Sequence, residues 1–469
     1  MKVFRVLAAT VIAAAIVTSM SGTSTAGSAE TSRSLKLVAD PGAPNIVVVM
    51  TDDQRRNTLQ TMPVVRSQVR NLGARYLGVI PTSTCCPSRA AFLSGNFAHT
   101  TGVYNNFTPG EGGWPTFNAS GYETKTLATA LDGAGYRTGL VGKYLNEWNQ
   151  APDGYVPPGW DVFRGIYVKT GQGGGRYYNY ELRGTQPTEV FARTPADYST
   201  DVLADRAVRF VLSTPVDQPL FLMFTPYAPH EPFSPALRDK NSWTPPTAYR
   251  NDAVNEQNTM DKPAFMRDLP KVGRDWIERA EDKTGESLRA VDTAVGRLLR
   301  ALGDRMDNTL FIFMSDNGMQ WGEHRMIGKN KPHRWSTEVP LMMRWDGHIT
   351  PSAVPSLATN VDMTDTILDA VGIPDALATE GISMLDGTRT SLVLEANASI
   401  ERPAYCGVRL KNWMYVEYSQ DAGSELYDYV HDPLELHNLT HNPDAAAKKA
   451  EMRALAMDLC SPTPPGFTW

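Results

Sequence analysis

The run NIVVVM at residues 45–50 is the stretch of the sequence that decides the fold. Its nearly unbroken apolar, β-branched character predicts a strand that is buried on both faces, as in a parallel sheet covered by helices. Thr51, Asp52 and Asp53 follow it. Because open α/β sheets bind ligands beyond the carboxyl ends of their strands, the aspartate pair predicts a binding site. The simpler interpretation is that one aspartate caps a helix and the other is solvated. It is disfavoured if other strands also end in polar residues that could share a site with the pair.

Two later apolar runs also end in residues with chemistry. LFLMF leads to His230, and TLFIFM leads to Asp316 and Asn317. Parallel strands present their carboxyl ends at one edge of a sheet, so we expect these side chains to meet the aspartate pair there. Carboxylate and amide oxygens from two strand ends form a hard, anionic ligand set, which suits Ca²⁺ or Mg²⁺ better than Zn²⁺. We expect Ca²⁺, which takes about six to eight oxygen ligands.

The segment CCPSRAAFLSG at residues 85–95 predicts a nucleophile at the start of a helix. It follows a turn rich in Ser and Thr and opens into an apolar run. Helix N-termini favour anions, and Arg89, one turn in, offers a planar donor fork to an oxyanion. The default interpretation of Cys85 and Cys86, a disulfide half or a buried thiol, leaves Arg89 and the Pro-Ser spacing unexplained.

The pattern Cys-x-Pro-Ser-Arg-x-x-x-Leu-Ser-Gly in this segment closely resembles the signature of the type I, formylglycine-dependent sulfatases. The resemblance implies that Cys85 is oxidised to formylglycine and that its hydrated aldehyde attacks the sulfur of a sulfate ester. It implies an alkaline-phosphatase-like α/β/α sandwich with a large mixed, mostly parallel sheet and a small C-terminal α+β subdomain. Within the family, the segments CCPSRA, VYNN and GKYLNEW resemble the N-acetylglucosamine-6-sulfatase branch, which acts on heparan and keratan sulfate.

The resemblance also implies roles for single residues of this sequence. The metal ligands are Asp52, Asp53, Asp316, Asn317 and the modified Cys85. Arg89 orients the formylglycine, Lys143 in GKY binds sulfate, and His230 and Lys329 bind the sulfate and protonate the leaving oxygen. A solvated surface lysine is the simpler interpretation of either lysine taken alone. The chain departs from many relatives at His333-Arg334, where they carry Tyr-Glu, and at Leu145-Asn146, where they carry a His.

The implied enzyme is a sulfuric ester hydrolase that releases 6-O-sulfate from N-acetylglucosamine units of glycosaminoglycans. Its partners are a sulfated saccharide and, during maturation, a formylglycine-generating enzyme. Three alternatives stay open: an arylsulfatase, a phospho- or phosphonate monoester hydrolase of the same fold, and a sulfated-glycan binder with unmodified Cys85. Tyr144, Trp148 and the loop at 171–180 are candidates for stacking on a sugar, with ordinary packing as the simpler interpretation of the aromatic residues.

Composition and the N-terminus bear on partners and compartment. A net charge of -6 gives no basic footprint, which argues against nucleic acid and requires a local basic pocket for a polyanion. Lys2 and Arg5 precede an apolar run that is shorter than the ~20 residues of a membrane span, and small residues follow. The pattern predicts a signal peptide at 1–29 and a secreted protein without a membrane anchor.

The length of 469 residues suits one large domain and a smaller one, which we expect at 44–375 and 376–469. Cys406 and Cys460 are the cysteines outside the motif, and we expect either one disulfide or two buried thiols, with the disulfide favoured. We further expect loops or small hairpins at 150–196, exposed chain at 234–275, and a helix at 361–371 capped by Asp362 or Thr364.

Overall fold

The NIVVVM run forms the centre of a large sheet. The structure is a computed structural model and describes residues 42–108, 110–168 and 176–469. Every residue of the first strand is buried, and the strand pairs in parallel with a neighbour on each side. The first eight strands all belong to the large sheet. They are β1 Asn45–Thr51, β2 Ala74–Val79, β3 Arg137–Gly142, β4 Val162–Tyr167, β5 Tyr180–Gly184, β6 Glu189–Phe191, β7 Leu220–Thr225 and β8 Thr309–Ser315. The strands that follow β8 are β9 Gln320–Trp321, β10 Ile327–Gly328, β11 Glu338–Val339, β12 Leu341–Arg344, β13 Ser352–Ala358, β14 Ser391–Ala396, β15 Tyr405–Leu410, β16 Trp413–Tyr418 and β17 Gly423–Asp428.

The strand order in the large sheet is β11-β2-β12-β8-β1-β7-β3-β4-β5-β6, and β13 pairs with β2. The centre, from β8 through β1, β7 and β3 to β4, is parallel. Antiparallel pairs flank it on both sides, at β12 and at β5 and β6. The predicted mixed sheet is confirmed, with its parallel part at the centre.

Helices cover both faces of this sheet. The helices of the described chain are α1 Cys85–Ser94, α2 Ala98–Thr101, α3 Gly113–Ala119, α4 Leu127–Gly133, α5 Ser199–Ser213, α6 Ala264–Arg267, α7 Arg274–Leu302, α8 Arg334–Thr337, α9 Asn360–Val371 and α10 Ala446–Leu459. Ile46 and Val48 pack with residues of α1, α4 and α9, whereas Val47 and Val49 pack with residues of α5 and α7. The alternation of side chains along β1 thus builds two cores, and the predicted α/β/α sandwich is confirmed.

A separate antiparallel sheet, β14-β15-β16-β17, lies in the C-terminal part of the chain. Helix α10 packs on it through Met452 and Ala456, which contact Val408 and Tyr415 in one apolar cluster. Cys406 on β15 is bonded to Cys460 after α10, with their Cα atoms 6.2 Å apart. The expected disulfide is therefore present, and all described residues belong to one compact unit.

Several local predictions differ from the structure. The segment 150–196 adds three strands to the large sheet, of which β4 is parallel to β3. Within 234–275, Glu256 and Lys262 are buried rather than exposed, because the carboxylate of Glu256 accepts from His324 and the Lys262 ammonium donates to the Glu435 carbonyl. Helix α9 is capped by Thr359, whose backbone N–H donates to Asp362, so neither Asp362 nor Thr364 is the cap residue.

The predicted signal peptide at 1–29 and the first half of the 171–180 loop lie outside the described residues. Within residues 42–108, 110–168 and 176–469, every helix is too short or too polar for a membrane span.

Candidate active site

Helix α1 places Cys85 at its first position, at the carboxyl edge of the sheet. Thr84 precedes it in an extended conformation, and Gly95 closes the helix with φ 72°. The whole helix is buried, which holds its N-terminus in a fixed position. The Cys85 thiol lies 3.3 Å from Asp52 Oδ1, and Lys329 Nζ lies 2.6 Å from the Cys85 sulfur. The predicted nucleophile position is therefore surrounded by charged groups from two other elements.

The ends of β1 and β8 interlock through their polar residues. Asp53 has φ 67°, an uncommon conformation for a residue with a side chain, and its N–H donates to Asp316 Oδ1 at 3.1 Å. Asn317 Nδ2 donates to Asp53 Oδ1 at 2.7 Å. These contacts hold the carboxylates of the two strand ends against each other, so the expectation that they meet at one edge is confirmed.

Three cations neutralise the three carboxylates. Lys143 Nζ lies 2.6 Å from Asp52 Oδ2, and Arg89 Nε lies 2.8 Å from Asp316 Oδ2. Lys329 pairs with Asp53. Arg89 also donates from Nη1 to the backbone carbonyl of Lys143 at 2.9 Å, which ties α1 to the end of β3. Neither lysine is a solvated surface residue, since Lys143 is buried and Lys329 is largely so.

Gly142, directly before Lys143, is needed for this placement. It has φ 132°, and a Cβ atom there would overlap the carbonyl oxygen of Thr225 on the neighbouring strand β7. Because glycine has no Cβ, the chain leaves β3 close against β7 and turns the lysine toward Asp52.

His230 reaches the cluster from the loop after β7. Its Nε2 lies 3.5 Å from Asp53 Oδ2, and its Nδ1 shares a hydrogen bond of 2.7 Å with the Tyr227 hydroxyl. The Tyr227 ring stacks on the imidazole with centroids 4.6 Å apart. Tyr227 is not among the site residues predicted from the sequence, although its position three residues before His230 in the same loop is a usable signal.

Burial and charge shift the pKa values of the cluster in opposite directions. Burial alone would raise the pKa of Asp52, but Lys143, His230 and Arg89 outweigh it and hold that pKa well below the ordinary value. Burial raises the pKa of Asp316 to about 6, with Asp52 adding to the shift. Burial, reinforced by Asp52, also raises the pKa of the Cys85 thiol. A thiol that stays protonated is a poor nucleophile.

Two buried atoms of the cluster, Arg89 Nη2 and Asn317 Oδ1, have no hydrogen-bond partner among the described residues, although Arg89 Nη2 still lies 3.8 Å from Asp52 Oδ2. Among the described residues, Asn317 Oδ1 accepts no hydrogen bond, although its amide nitrogen is fully used. Buried amide oxygens are rarely left unsatisfied, so this atom points to a missing ligand. Ligand atoms of Asp52, Asp53, Cys85 and His230 all lie within 4.8 Å of one another. Asp316 and Asn317 lie against Asp53 and add further side-chain oxygens, and such oxygen donors fit a hard cation such as Ca²⁺.

All nine predicted site residues thus belong to one connected cluster. The aromatic residues proposed for sugar stacking do not reach it with a free face. Tyr144 is buried and donates to Glu123, and Trp148 is buried against Phe163 and Tyr167. Ordinary packing explains both residues.

The departure at His333-Arg334 has a structural role. His333 pairs with Glu425 of β17 at 3.2 Å, and Arg334 pairs with Glu338 at 3.0 Å. Tyr418 and Tyr427 also donate to Glu425. The loop that carries Lys329 is therefore anchored on the C-terminal sheet by buried polar contacts.

Family comparisons agree with this site. A sulfatase family profile matches residues 44–373, and a profile described as N-sulphoglucosamine sulphohydrolase, C-terminal, matches residues 322–460. The first match covers more than half of the chain. The chain belongs to the sulfatase family.

Two curated relatives are similar over most of this chain. It is 31% identical over 357 residues to the extracellular sulfatase SULF-1 homolog of Drosophila melanogaster, a match that covers 73% of this chain and 31% of that protein. It is 28% identical over 358 residues to N-acetylglucosamine-6-sulfatase of Homo sapiens, covering 73% of this chain and 64% of that protein. The chain spans less than two thirds of the length of either relative.

A solved structure is similar in fold. It superimposes with a TM-score of 0.71 at 21% identity and covers 90% of this chain and 99% of that chain. That protein is in complex with its substrate, D-glucosamine-2-N,6-O-disulfate. At this identity the likeness concerns the fold alone.

Proposed function

We propose that the protein hydrolyses sulfate esters through a formylglycine formed from Cys85, with Ca²⁺ bound by Asp52, Asp53, Asp316, Asn317 and the modified Cys85. The observation that carries the proposal is the surroundings of Cys85. Its side chain starts α1, lies 3.3 Å from Asp52 and 2.6 Å from Lys329 Nζ, and is buried. As its hydrate, formylglycine supplies a hydroxyl nucleophile that the raised pKa of the thiol denies to cysteine.

The charge balance of the cluster supports the metal. Three carboxylates face three cations, so the buried site has no net charge to attract an anionic ester. Bound Ca²⁺ would supply the missing positive charge against the sulfate oxygens. The unpartnered oxygen of Asn317 supports the same conclusion.

The cations and the histidine of this chain then have distinct tasks. Lys143 and Lys329 bind the sulfate oxygens. Both ammonium groups lie against site carboxylates, and when a metal binds those carboxylates the ammonium groups can turn to the sulfate. Arg89 orients the nucleophile from one turn into the same helix. His230, whose Nδ1 is held by Tyr227, presents Nε2 to the site, where with Lys329 it holds the proton for the leaving oxygen.

The proposed substrate is a 6-O-sulfated N-acetylglucosamine unit at the end of a glycosaminoglycan chain. The names of the curated relatives support this class, and the solved neighbour holds a 6-O-sulfated glucosamine. An extracellular glycosaminoglycan as substrate agrees with the predicted export of this protein and with a relative named an extracellular sulfatase. A formylglycine-generating enzyme is the partner required for maturation.

We also propose that residues 44–375 form the catalytic domain and 376–469 the C-terminal subdomain. The four-stranded sheet β14–β17 with its disulfide supports this division, and the contacts of His333 with Glu425 explain why the two parts pack together.

The test compares kcat/KM on 6-sulfo-N-acetylglucosamine, 6-sulfogalactose, a 2-sulfo-uronate, nitrophenyl sulfate and nitrophenyl phosphate. Mass spectrometry of the Cys85 peptide is run on the same preparation. We expect the glucosamine sulfate to be cleaved fastest, because a pocket that hydrogen-bonds its hydroxyls rejects isomers that lack a matched group.

Each result decides a separate part of the proposal. A preference for nitrophenyl sulfate or the uronate removes the glucosamine assignment and keeps the sulfatase. A preference for the phosphate ester removes the sulfatase. A preparation with modified Cys85 that cleaves none of these esters contradicts the proposed activity itself.

A further inference from the structure

A cavity of about 740 Å³ lies apart from the Cys85 cluster, between the edge of the large sheet and the C-terminal sheet. None of the nine site residues lines it. We call it the basic groove, because its lining includes seven cations and one carboxylate. The cations are Arg56, Arg66, Arg70, Arg75, Arg334, Arg409 and Lys411, and the carboxylate is Glu338.

Three of these arginines share the single carboxylate. Arg56 and Arg334 each lie 3.0 Å from Glu338 Oε2, and Arg409 lies 2.9 Å from Oε1. One glutamate cannot neutralise three guanidinium groups, so this part of the groove keeps a positive charge.

The remaining cations of the groove have no acidic partner among the described residues. Within the part of the chain that the structure describes, none of Arg66, Arg70, Arg75 and Lys411 lies within ion-pair distance of a carboxylate. Arg66 and Arg70 are four residues apart in the helical turn Val65–Arg70, a spacing that places both on one face. Burial lowers the pKa of Arg70, and Arg75 and Arg66 lower it further, as expected of like charges held close together.

We propose that the basic groove binds a sulfated glycan chain at a distance from the sulfate that is hydrolysed. Guanidinium forks match the planar oxygen pairs of sulfate and carboxylate groups, and an anion would relieve the repulsion among the unpaired arginines. The exposed amides of Asn57 and Asn412 also line the groove and suit sugar hydroxyls. The volume falls within the roughly 300–1,000 Å³ of ligand sites.

The groove and the Cys85 cluster share two connecting segments. Arg56 follows Asp53 by three residues, and Arg334 follows Lys329 by five. A chain bound in the groove therefore lies beside the loops that carry site residues, and its own end gains a higher effective concentration at the site. This inference rests on the proposed glycan substrate, but the binding it predicts does not require turnover.

The experiment measures binding by the full chain with the substitution Cys85→Ala, which removes turnover. The probes are a size-defined heparin hexasaccharide, its desulfated and N-acetylated counterpart, and single-stranded DNA of equal charge. Titrations at several salt concentrations give Kd and its salt dependence. We expect the heparin hexasaccharide to bind, to lose affinity as salt rises, and to bind more tightly than either other probe.

Arg66→Gln with Arg70→Gln is the groove variant, and Lys240→Gln with Arg279→Gln is the matched control. The control residues are exposed, lie outside the groove and have the same total charge. We expect the groove variant to weaken hexasaccharide binding roughly tenfold and to reduce the salt dependence, since two anion contacts are lost. The control should bind as the parent does.

Thermal unfolding separates binding from folding. Neutralising Arg70 relieves repulsion, so the groove variant should melt no earlier than the parent, yet gain less Tm from the hexasaccharide. Equal hexasaccharide affinity in the groove variant and the parent would refute the proposal that the basic groove binds the glycan. Tighter binding of DNA, or equal binding of the desulfated probe, would overturn the sulfated-glycan assignment.

The proposed activity is judged separately from the groove. The ratio of kcat/KM for the chain substrate to that for nitrophenyl sulfate should fall in the groove variant made on the active enzyme. If the enzyme cleaves no sulfate ester while the hexasaccharide still binds in the groove, the proposed function fails and the groove stands. If cleavage is normal and the ratio is unchanged, the groove has no part in holding substrate.

Discussion

The Cys85 cluster and the basic groove are both rich in cations, but they balance this charge in opposite ways. In the cluster each cation meets its own carboxylate, as Arg89 meets Asp316 and Lys143 meets Asp52. In the groove one glutamate serves three arginines, and four further cations have no acidic partner within the described chain.

Solvent access explains the difference. The Arg89 side chain is 1% exposed, whereas Arg66 and Lys411 of the groove, which have no acidic partner among the described residues, are exposed. An unpaired charge is costly when it is buried, but water and salt screen it at an open surface. Under the proposed function, the buried cluster therefore binds a metal before it accepts an anion, while the open groove attracts anions through its own excess charge. Anion binding at the Cys85 cluster should be selective and insensitive to salt, whereas anion binding in the basic groove should weaken as salt rises.

The largest expected effect is a difference in activity between variants of two neighbouring cysteines, Cys85 in the cluster and Cys86 beside it. Cys85→Ala should abolish turnover, because it removes the residue that we propose becomes formylglycine. Cys86→Ala should retain most activity, since Cys86 packs into the apolar core and touches the neighbouring loop through its backbone N–H to Asn106. The measurement is kcat on 6-sulfo-N-acetylglucosamine, with circular dichroism as the folding control.

Intact mass completes this test. A modified Cys85 makes the protein lighter than the unmodified chain by about 18 Da, and Cys85→Ala should lack that shift while Cys86→Ala keeps it. Equal losses of activity in two well-folded variants would contradict the assignment of the nucleophile.

The second largest expected effect concerns the metal proposed for the cluster, in which carboxylates and cations balance in charge. Asp316→Asn should lower kcat by at least ~100-fold and weaken Ca²⁺ binding, because it removes a charged oxygen from a hard-cation site. Asp292→Asn is the control, since Asp292 is also buried but caps backbone N–H groups of Val64 and Val65 outside the site. Full activity after chelation and dialysis, with no bound metal detected, would contradict the metal site.

The sequence predicted those parts of the molecule that depend on local pattern. Apolar runs predicted β1, β7 and β8, and the residues that follow them predicted the cluster. In the segment 150–196, the small hairpins that were one of the two expectations agree with the antiparallel pairs of β4, β5 and β6. The pairing of β4 with β3 was not predicted, because β4 carries a buried charged residue, Arg164, within its apolar run.

Long-range pairing was beyond the sequence. Lys262 looked like a surface lysine, yet it is buried because its partner carbonyl lies 173 residues away on Glu435. The basic groove has the same origin, since Arg66 and Arg70 meet Arg334 and Lys411 only after folding. A net charge of -6 hides such a local excess.

The smallest expected effect tests whether Glu338 holds the groove arginines together. The Glu338 side chain is 4% exposed and pairs with Arg56, Arg334 and Arg409. Glu338→Gln should lower the free energy of unfolding by about 3 kcal/mol at pH 7, because it leaves buried positive charge uncompensated. The same variant should bind the heparin hexasaccharide more tightly, since the groove becomes more positive.

The pH dependence of this effect has a definite sign. Burial alone would raise the pKa of Glu338, but Arg334, Arg409 and Arg56 lower it from 4.5 to about 2. A carboxylate with a depressed folded-state pKa stabilises the fold above its unfolded pKa and loses that contribution as pH falls. The stability difference between parent and variant should therefore be constant down to about pH 5 and shrink between 4.5 and 2.

Urea unfolding at several pH values from 7 to about 3 measures this difference, and subtraction removes the carboxyl groups that titrate equally in both proteins. Glu278→Gln serves as the control, because Glu278 pairs with Arg274 on the exposed surface of α7 and should change stability little at any pH. A parent–variant difference that stays flat or grows as the solution is acidified would mean that Glu338 is not the buried counter-charge of the groove, and that the arginines there are held by their backbone contacts alone.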